Sequence, residues 1–338
     1  MRMDLGLDLG SYSARMVVSG ASVPLVEANL AMVRGDRICV LGEAAGLALG
    51  RTPQGMRPVR PVVHGSVEDM AVCVELIRSM MARVMGSPMT RRPVVGAALS
   101  GCLRDAEKRA LTTAILESGA EKVALVPSAL CAALGAGWDI ASPEGIMVVE
   151  LGDGVMAASV VAGGMVSAQL SLPLGMGEVD GAIQRALRAE GFEIGPRTAE
   201  DLKQTLGAAF GGRGTVKQPV IGLDRKTGFP VSREVSAECV NAAIAPIPQR
   251  LIRLVNELLP GLSGELSADL AQNGMLLTGG GAALFGIEKL MANETGLNCQ
   301  VASDPAGCAI RGLEALLGKP ELLERIAIPG RPLVGEKR

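Results

Sequence analysis

One strand–turn–strand pattern occurs twice in this chain. The first copy is Leu5-Gly6-Leu7-Asp8-Leu9-Gly10-Ser11-Tyr12-Ser13-Ala14-Arg15-Met16-Val17-Val18, and the second runs from Met147 through Glu150-Leu151-Gly152-Asp153-Gly154 to Val161. Each has a carboxylate near the end of an apolar strand, Leu-Gly directly after it, and a second β-rich run. A third strand is expected after Gly20 in one copy and after Gly163-Gly164 in the other. A structural unit used twice predicts two similar domains. Their turns would meet across a cleft, where glycine lets backbone N–H groups approach an anion closely.

The 338 residues are enough for two domains, each with its own core. Mean hydropathy is +0.33, yet no apolar run is long enough to span a bilayer. The start opens directly into a strand, so no signal peptide is read there. Seven cysteines are scattered without a C-x-x-C pair, which favours reduced, buried thiols in a cytoplasmic protein over a disulfide frame or zinc site. A net charge of −2 gives no whole-molecule attraction to nucleic acid.

Periodicity and turn signals place three strands in 2–33, then a small subdomain at about 34–64 with little regular structure. A helix from Met70 to Val84 follows a capping-box-like Ser66-Val67-Glu68-Asp69. A strand at 94–100, a helix at 104–118, a strand at 123–126 and a small-residue helix at 128–137 complete domain I, residues 1–144. Domain II, 145–318, repeats the plan: three strands in 146–172, a subdomain at about 178–260 and a strand running into Thr278-Gly279-Gly280-Gly281. The subdomain has helices at about 178–190 and 197–208, a hairpin near Asp224, and a helical stretch that Pro246 and Pro248 must break. A helix is expected at 282–293, and another at 304–317. The segment 319–338 ends in a tail, loose from Pro329. Strands alternating with helices make the chain α/β with mixed sheets.

Three glycine turns, at 10, 152–154 and 279–281, lie at C-terminal strand ends, where open α/β sheets bind ligands. Two of them, from different domains, could clamp a polyphosphate. The triple-glycine turn is expected to open a helix whose N-terminal amides favour an anion. Asp8, Glu150 and Asp153 at the same mouth suit Mg²⁺ held through water. A single such turn is most simply a hairpin turn; three in a duplicated pattern point to nucleotide binding.

The arrangement resembles the superfamily of actin, DnaK-type chaperones and sugar kinases, and more closely the bacterial actin MreB family. The resemblance runs over about residues 3–318. It is carried by Asp8-Leu9-Gly10-Ser11, Leu49-Gly50-Arg51-Thr52-Pro53, Glu107-Lys108-Arg109-Ala110, Ala199-Glu200-Asp201-Leu202-Lys203, Gly274 to Ala282, and Asp304-Pro305 with Arg311-Gly312. It implies an actin-like ATPase fold, with two ribonuclease-H-like domains flanking a nucleotide cleft. It implies ATP and Mg²⁺ as ligands, head-to-tail self-assembly into double filaments, and work with membrane-associated cell-wall synthesis proteins in rod shape. Carried over, Asp8, Gly10 and Ser11 contact phosphate and metal, with Tyr12 in the same turn. Gly152, Asp153 and Gly154 form the second phosphate loop. Glu200 and Lys203 flank the adenosine, and Gly279, Gly280 and Gly281 hold its ribose side.

The sequence departs from the family at two places. The second loop reads Glu150-Leu151-Gly152-Asp153-Gly154-Val155-Met156, where the bacterial family has Asp-Ile-Gly-Gly-Gly-Thr-Thr. Its Gly-Asp-Gly-Val core is like that of eukaryotic actin, Met156 lacks a phosphate-binding hydroxyl, and Glu150 is longer than the usual Asp. Ser128 stands where the family has a water-orienting Glu, or Gln in actin. A short hydroxyl is a poor substitute in phosphoryl transfer to water, so slow or absent hydrolysis with binding retained is expected.

His64, the only histidine, is expected at a hinge or surface, without a catalytic partner. Trp138 and Tyr12 are read as packing residues, Tyr12 also as a cleft candidate. The segment Arg104 to Arg109 is read as a solvated face or, on the family's pattern, near the cleft floor, and Met80-Met81 as core filler. The loop 86–93 offers one methionine and two arginines, so membrane contact is expected to be weak or supplied by a partner, at the inner face of the membrane. Two other readings stand beside the filament: a non-polymerising nucleotide-binding adaptor of the same fold, and a superfamily kinase or DnaK-like ATPase.

Overall fold

The computed structural model describes residues 3–20, 23–86, 91–212 and 214–333. Both copies of the repeated pattern are antiparallel hairpins, and they are built alike. Leu5–Leu9 pairs with Ser13–Val18, setting Asp8 opposite Arg15, and Ile146–Leu151 pairs with Met156–Ala162, setting Glu150 opposite Ala157. Each first strand also pairs in parallel on its other edge, with Val94–Leu99 in one half and Met275–Thr278 in the other. Each sheet is then extended by a further parallel strand, Lys122–Pro127 in the first and Cys299–Val301 in the second. A third antiparallel strand closes the other side, Leu25–Ala28 in the first and Met165–Leu172 in the second. The duplication read from the sequence is thus a duplication of sheet topology.

The central strands are covered on both faces. Met147, Val148 and Val149 are fully buried, as the apolar run of a parallel-paired central strand requires. Between the sheets lie two helices, Ser128–Gly135 and Cys308–Leu317, each reaching across to the other half. The helix Cys308–Leu317 packs on the strands of the first sheet, while Ser128–Gly135 packs on the strands of the second. One apolar cluster therefore joins Val126, Leu130 and Cys131 to Val148, Leu276 and Leu313.

Four expectations are corrected. The stretch 34–64 is more regular than expected: Ala31–Arg34, Arg37–Leu41 and Arg57–Val59 form a three-stranded antiparallel sheet, and Glu43–Ala48 is a helix. The helix Met70–Met85 is capped by the Asp69 side chain accepting from the Val72 N–H, not by Ser66, which is in a short strand. The triple-glycine turn opens a 3-10 turn, Gly280–Ala283, and the next helix begins at Ile287 rather than Ala282. Phe285 accepts from the Ala209 N–H, and Gly286 is left-handed, which holds the intervening chain out of helix. The tail is bound further than expected: Ile328–Pro329 joins the first sheet beside Lys122–Pro127, after a helix Pro320–Ile326. Residues 334–338, and Ser87 to Thr90 of the loop considered for membrane contact, lie outside the described residues.

Among the described residues no helix is long and apolar enough to cross a membrane. Met80 and Met81 are fully buried core residues, as expected.

Candidate functional site

The repeated turns close with the same hydrogen bond. The Gly10 N–H donates to the Ser13 carbonyl at 3.1 Å, and the Gly152 N–H to the Val155 carbonyl at 2.8 Å. A Cβ on either glycine would lie 3.0 Å from that acceptor oxygen, so both turns are fitted to glycine. The two turns touch: a Cβ on Gly154 would stand 2.3 Å from Ser11 Oγ and 3.0 Å from the His64 nitrogen. The chain duplication thus becomes a pair of facing loops.

Around them lies a cleft of about 580 Å³, within the range that holds a cofactor-sized ligand. Asp8, Gly10, Ser11, Tyr12, Ser128, Glu150, Gly152, Asp153, Gly154, Glu200, Lys203, Gly279, Gly280 and Gly281 all line it. Every residue assigned to nucleotide, metal or water positioning from the sequence therefore lines one cleft. The glycine run is seated against the second turn, since a Cβ on Gly279 would lie 2.5 Å from the Leu151 carbonyl oxygen. Its N–H groups open a 3-10 turn rather than the α-helix expected there.

Helix Pro196–Leu206 supplies the far wall. Proline at its first turn suits a helix start, and Ala199, Leu202 and Leu206 bury one stripe. That leaves Glu200 and Lys203 for the cleft. Lys203 sits within 3.0 Å of both Asp180 carboxylate oxygens. Tyr12 is 49% exposed and is not a packing residue. Its hydroxyl donates to Glu200 Oε1 at 2.7 Å, joining the first turn to this helix.

The carboxylates crowd one mouth. Burial raises Asp8, with Arg15 opposing at 3.7 Å. Burial pushes Glu150 up to about 7; the Asp8 charge adds to this, and the hydrogen bond from Ser128 opposes it. Asp153 is raised by burial against the pull of Arg60 and Lys203. Among the described residues no three His, Cys, Asp or Glu side chains form a direct metal cage. The donor set still fits a hydrated divalent cation, because all three carboxylates are raised by burial, and Glu150 also by Asp8, a cost that such a charge relieves.

Ser128 Oγ donates to Glu150 Oε2 at 3.0 Å. The two departures noted in the sequence are therefore one contact: the longer side chain at 150 reaches the start of the helix where Ser128 stands.

Sequence reasoning missed several parts. Arg15 is the ion-pair partner of Asp8, and its place opposite Asp8 in the hairpin was the available signal. Asn29 is fully buried and donates to the Ser11 and Val62 carbonyls, fixing the first turn; nothing local marked it. Gly175 and Gly177 carry the second turn, as Met176 and Gly177 N–H groups donate to the Gly152 and Asp153 carbonyls. His64 lies between the halves. Its Nδ1 donates to the Gly154 carbonyl at 2.9 Å, and its φ of 51° is left-handed, a strained state for a non-glycine residue. The segment Arg104 to Arg109 does not line the cleft; Arg104 pairs with Glu107 and Lys108 with Asp105 on the surface. Trp138 packs, half-buried, against the cluster shared by both sheets.

Residues 2–325 match the family described as MreB/Mbl protein. The chain is 30% identical over 317 residues to cell shape-determining protein MreB of Escherichia coli (strain K12), covering 91% of each. It superposes on MreB 5 of Spiroplasma citri bound to AMPPNP with a TM-score of 0.89 and 28% identity, over 96% of this chain and 98% of that one. MreB5 bound to ADP gives the same values. A chain of the MamK double helical filament superposes with a TM-score of 0.80 at 18% identity, over 94% of this chain and 99% of that one, a likeness of fold alone.

Proposed function

The chain belongs to the MreB/Mbl family, and from that premise we propose that it is an actin-like cytoskeletal protein that binds ATP and assembles into filaments in cell-shape and cell-wall morphogenesis. The observation that carries the nucleotide assignment is the pair of matched turns, Gly10 to Ser13 and Gly152 to Val155, touching through Ser11 and Gly154. Loops of this kind present backbone N–H groups to phosphate from two sides. The relatives support it, since MreB 5 of Spiroplasma citri is described with AMPPNP and with ADP.

In this reading Ser11, Gly152, Asp153 and Gly154 grip the phosphates, Glu200 and Lys203 flank the adenosine, and Gly279 to Gly281 face its ribose. Asp8, Glu150 and Asp153 hold Mg²⁺ through water, and the ion would neutralise phosphate charge. Ser128 is engaged with Glu150 and has no carboxylate of its own to orient water, so hydrolysis is slow. Self-assembly is head to tail, because such heterologous contacts need not close. Membrane contact is weak or supplied by cell-wall synthesis partners, with the protein at the cytoplasmic face.

The test is sedimentation and negative-stain microscopy of the purified chain with ATP-Mg²⁺, with ADP-Mg²⁺ and without nucleotide. Pelletable filaments that depend on nucleotide are expected. A chain that binds ATP but stays in the supernatant under all three conditions is instead a non-polymerising adaptor of the same fold.

A further inference from the structure

We propose that the Tyr12–Glu200 hydrogen bond is a clasp across the mouth of the cleft that sets how fast nucleotide enters and leaves. The inference rests on the reading that the cleft takes ATP, and adds a regulating contact to it.

The two residues are 188 positions apart and come from opposite walls, Tyr12 from the first turn and Glu200 from the helix Pro196–Leu206. Tyr12 is half-exposed, which places the bond at the rim of the cleft rather than on its floor. The same helix is tied to the first half a second time: Arg197 Nη1 donates to the Leu47 carbonyl at 3.3 Å. Arg197 and Glu200 are three residues apart and so lie on one face of the helix. One helix face is thus fastened to the opposite wall at two points.

The phenol is suited to the task. Burial, with the Glu200 carboxylate adding to it, pushes its pKa up to about 12. The hydroxyl stays a donor throughout the physiological range. Lys203, the other charged residue by which this helix lines the cleft, is held by Asp180 inside the second half and cannot serve as the cross-cleft tie.

A clasp differs from an ordinary ligand contact in its kinetics. If the bond only touched bound nucleotide, removing it would speed release and weaken affinity by the same factor. If it holds the mouth shut, uptake and release both wait for it to part, and removing it speeds both.

The experiment is stopped-flow uptake and chase of etheno-ATP, with calorimetry of ATP-Mg²⁺ alongside, on wild type, Tyr12→Phe and Arg197→Ala. Tyr12→Phe keeps the ring and loses only the hydroxyl. It is expected to raise both rate constants by about three- to tenfold, the range for one ordinary hydrogen bond, since solvent at the rim screens the carboxylate charge, with the dissociation constant changed less than about twofold. Arg197→Ala, which lies outside the cleft lining, is expected to move both rates the same way by a smaller factor. Unchanged rates in both variants overturn the clasp. So does faster release alone with a proportional loss of affinity, which makes Tyr12 a plain ligand contact. A wild-type chain that gives no binding heat at all refutes the nucleotide reading itself, a failure distinct from either.

Discussion

Replacing Gly312 with alanine is expected to lower the free energy of unfolding by about 3–5 kcal/mol, near the top of the range for a single substitution. Gly312 lies buried in the helix Cys308–Leu317. A Cβ there would stand 1.9 Å from the Cys131 carbonyl oxygen, and one on Gly135 would stand 1.9 Å from the Cys308 carbonyl oxygen. The obstacles are backbone atoms, so no side chain can rotate away. Alanine would gain about 1 kcal/mol of helix propensity over glycine, and the overlap outweighs that gain because the two helices must separate. They join the halves of the molecule, so separating them opens the shared cluster around Leu130, Val148 and Leu313. Urea denaturation followed by the fluorescence of Trp138, the only tryptophan, measures the loss directly. The midpoint should fall with little change in slope. Gly318, which has nothing within 4 Å of its Cβ position and a φ of −88°, is the control that alanine should leave unharmed. A loss at Gly312 no larger than at Gly318 would contradict the packing account.

The second large effect is on turnover. Restoring the family's arrangement with Ser128→Glu and Glu150→Asp together is expected to raise ATP hydrolysis about a hundredfold, the lower end of what a positioned base contributes. The reason for changing both is the 3.0 Å bond between Ser128 and Glu150. Ser128→Glu alone would bring a second carboxylate against one already pushed up to about 7 by burial and by Asp8. The two carboxylates would share a proton or move apart, and neither state orients water well. The double variant shortens the residue at 150 and frees the space. The substitutions are therefore expected to be strongly non-additive. Phosphate release measured on the four chains of this cycle decides it. Wild-type rates like those of ordinary relatives, with no further gain in the double variant, would show that Ser128 does not limit the reaction.

The legible part of this protein was its repetition. Apolar strand, carboxylate, Leu-Gly and turn gave both strand–turn–strand units, because apolar strand runs and glycine turns are local properties. The glycine turns of the cleft were legible for the same reason, while Ser128, Glu200 and Lys203 were reached through the family resemblance. What stayed hidden was non-local. The Ser128–Glu150 contact joins residues noted as separate departures, and only folding brings the strand end to the helix start. Asn29 fixes the first turn from a position with no pattern around it. The late start of the helix at Ile287 depends on Ala209 reaching Phe285, a bond that no propensity reveals. The strand Ile328–Pro329 was masked by proline and proximity to the chain end, yet Lys122–Pro127 offered an unpaired edge for it. The small sheet at 31–59 was obscured by glycine, arginine and proline between short strands.

The central claim is that duplicated halves hold a nucleoside triphosphate between their matched turns more effectively than they cleave it. Calorimetric titration of the purified full chain with ATP and Mg²⁺, with phosphate release followed in the same sample, tests both parts. The account predicts saturable one-to-one binding while the ATP stays largely intact over the titration. The absence of binding heat with either ATP or GTP at high concentration would contradict it.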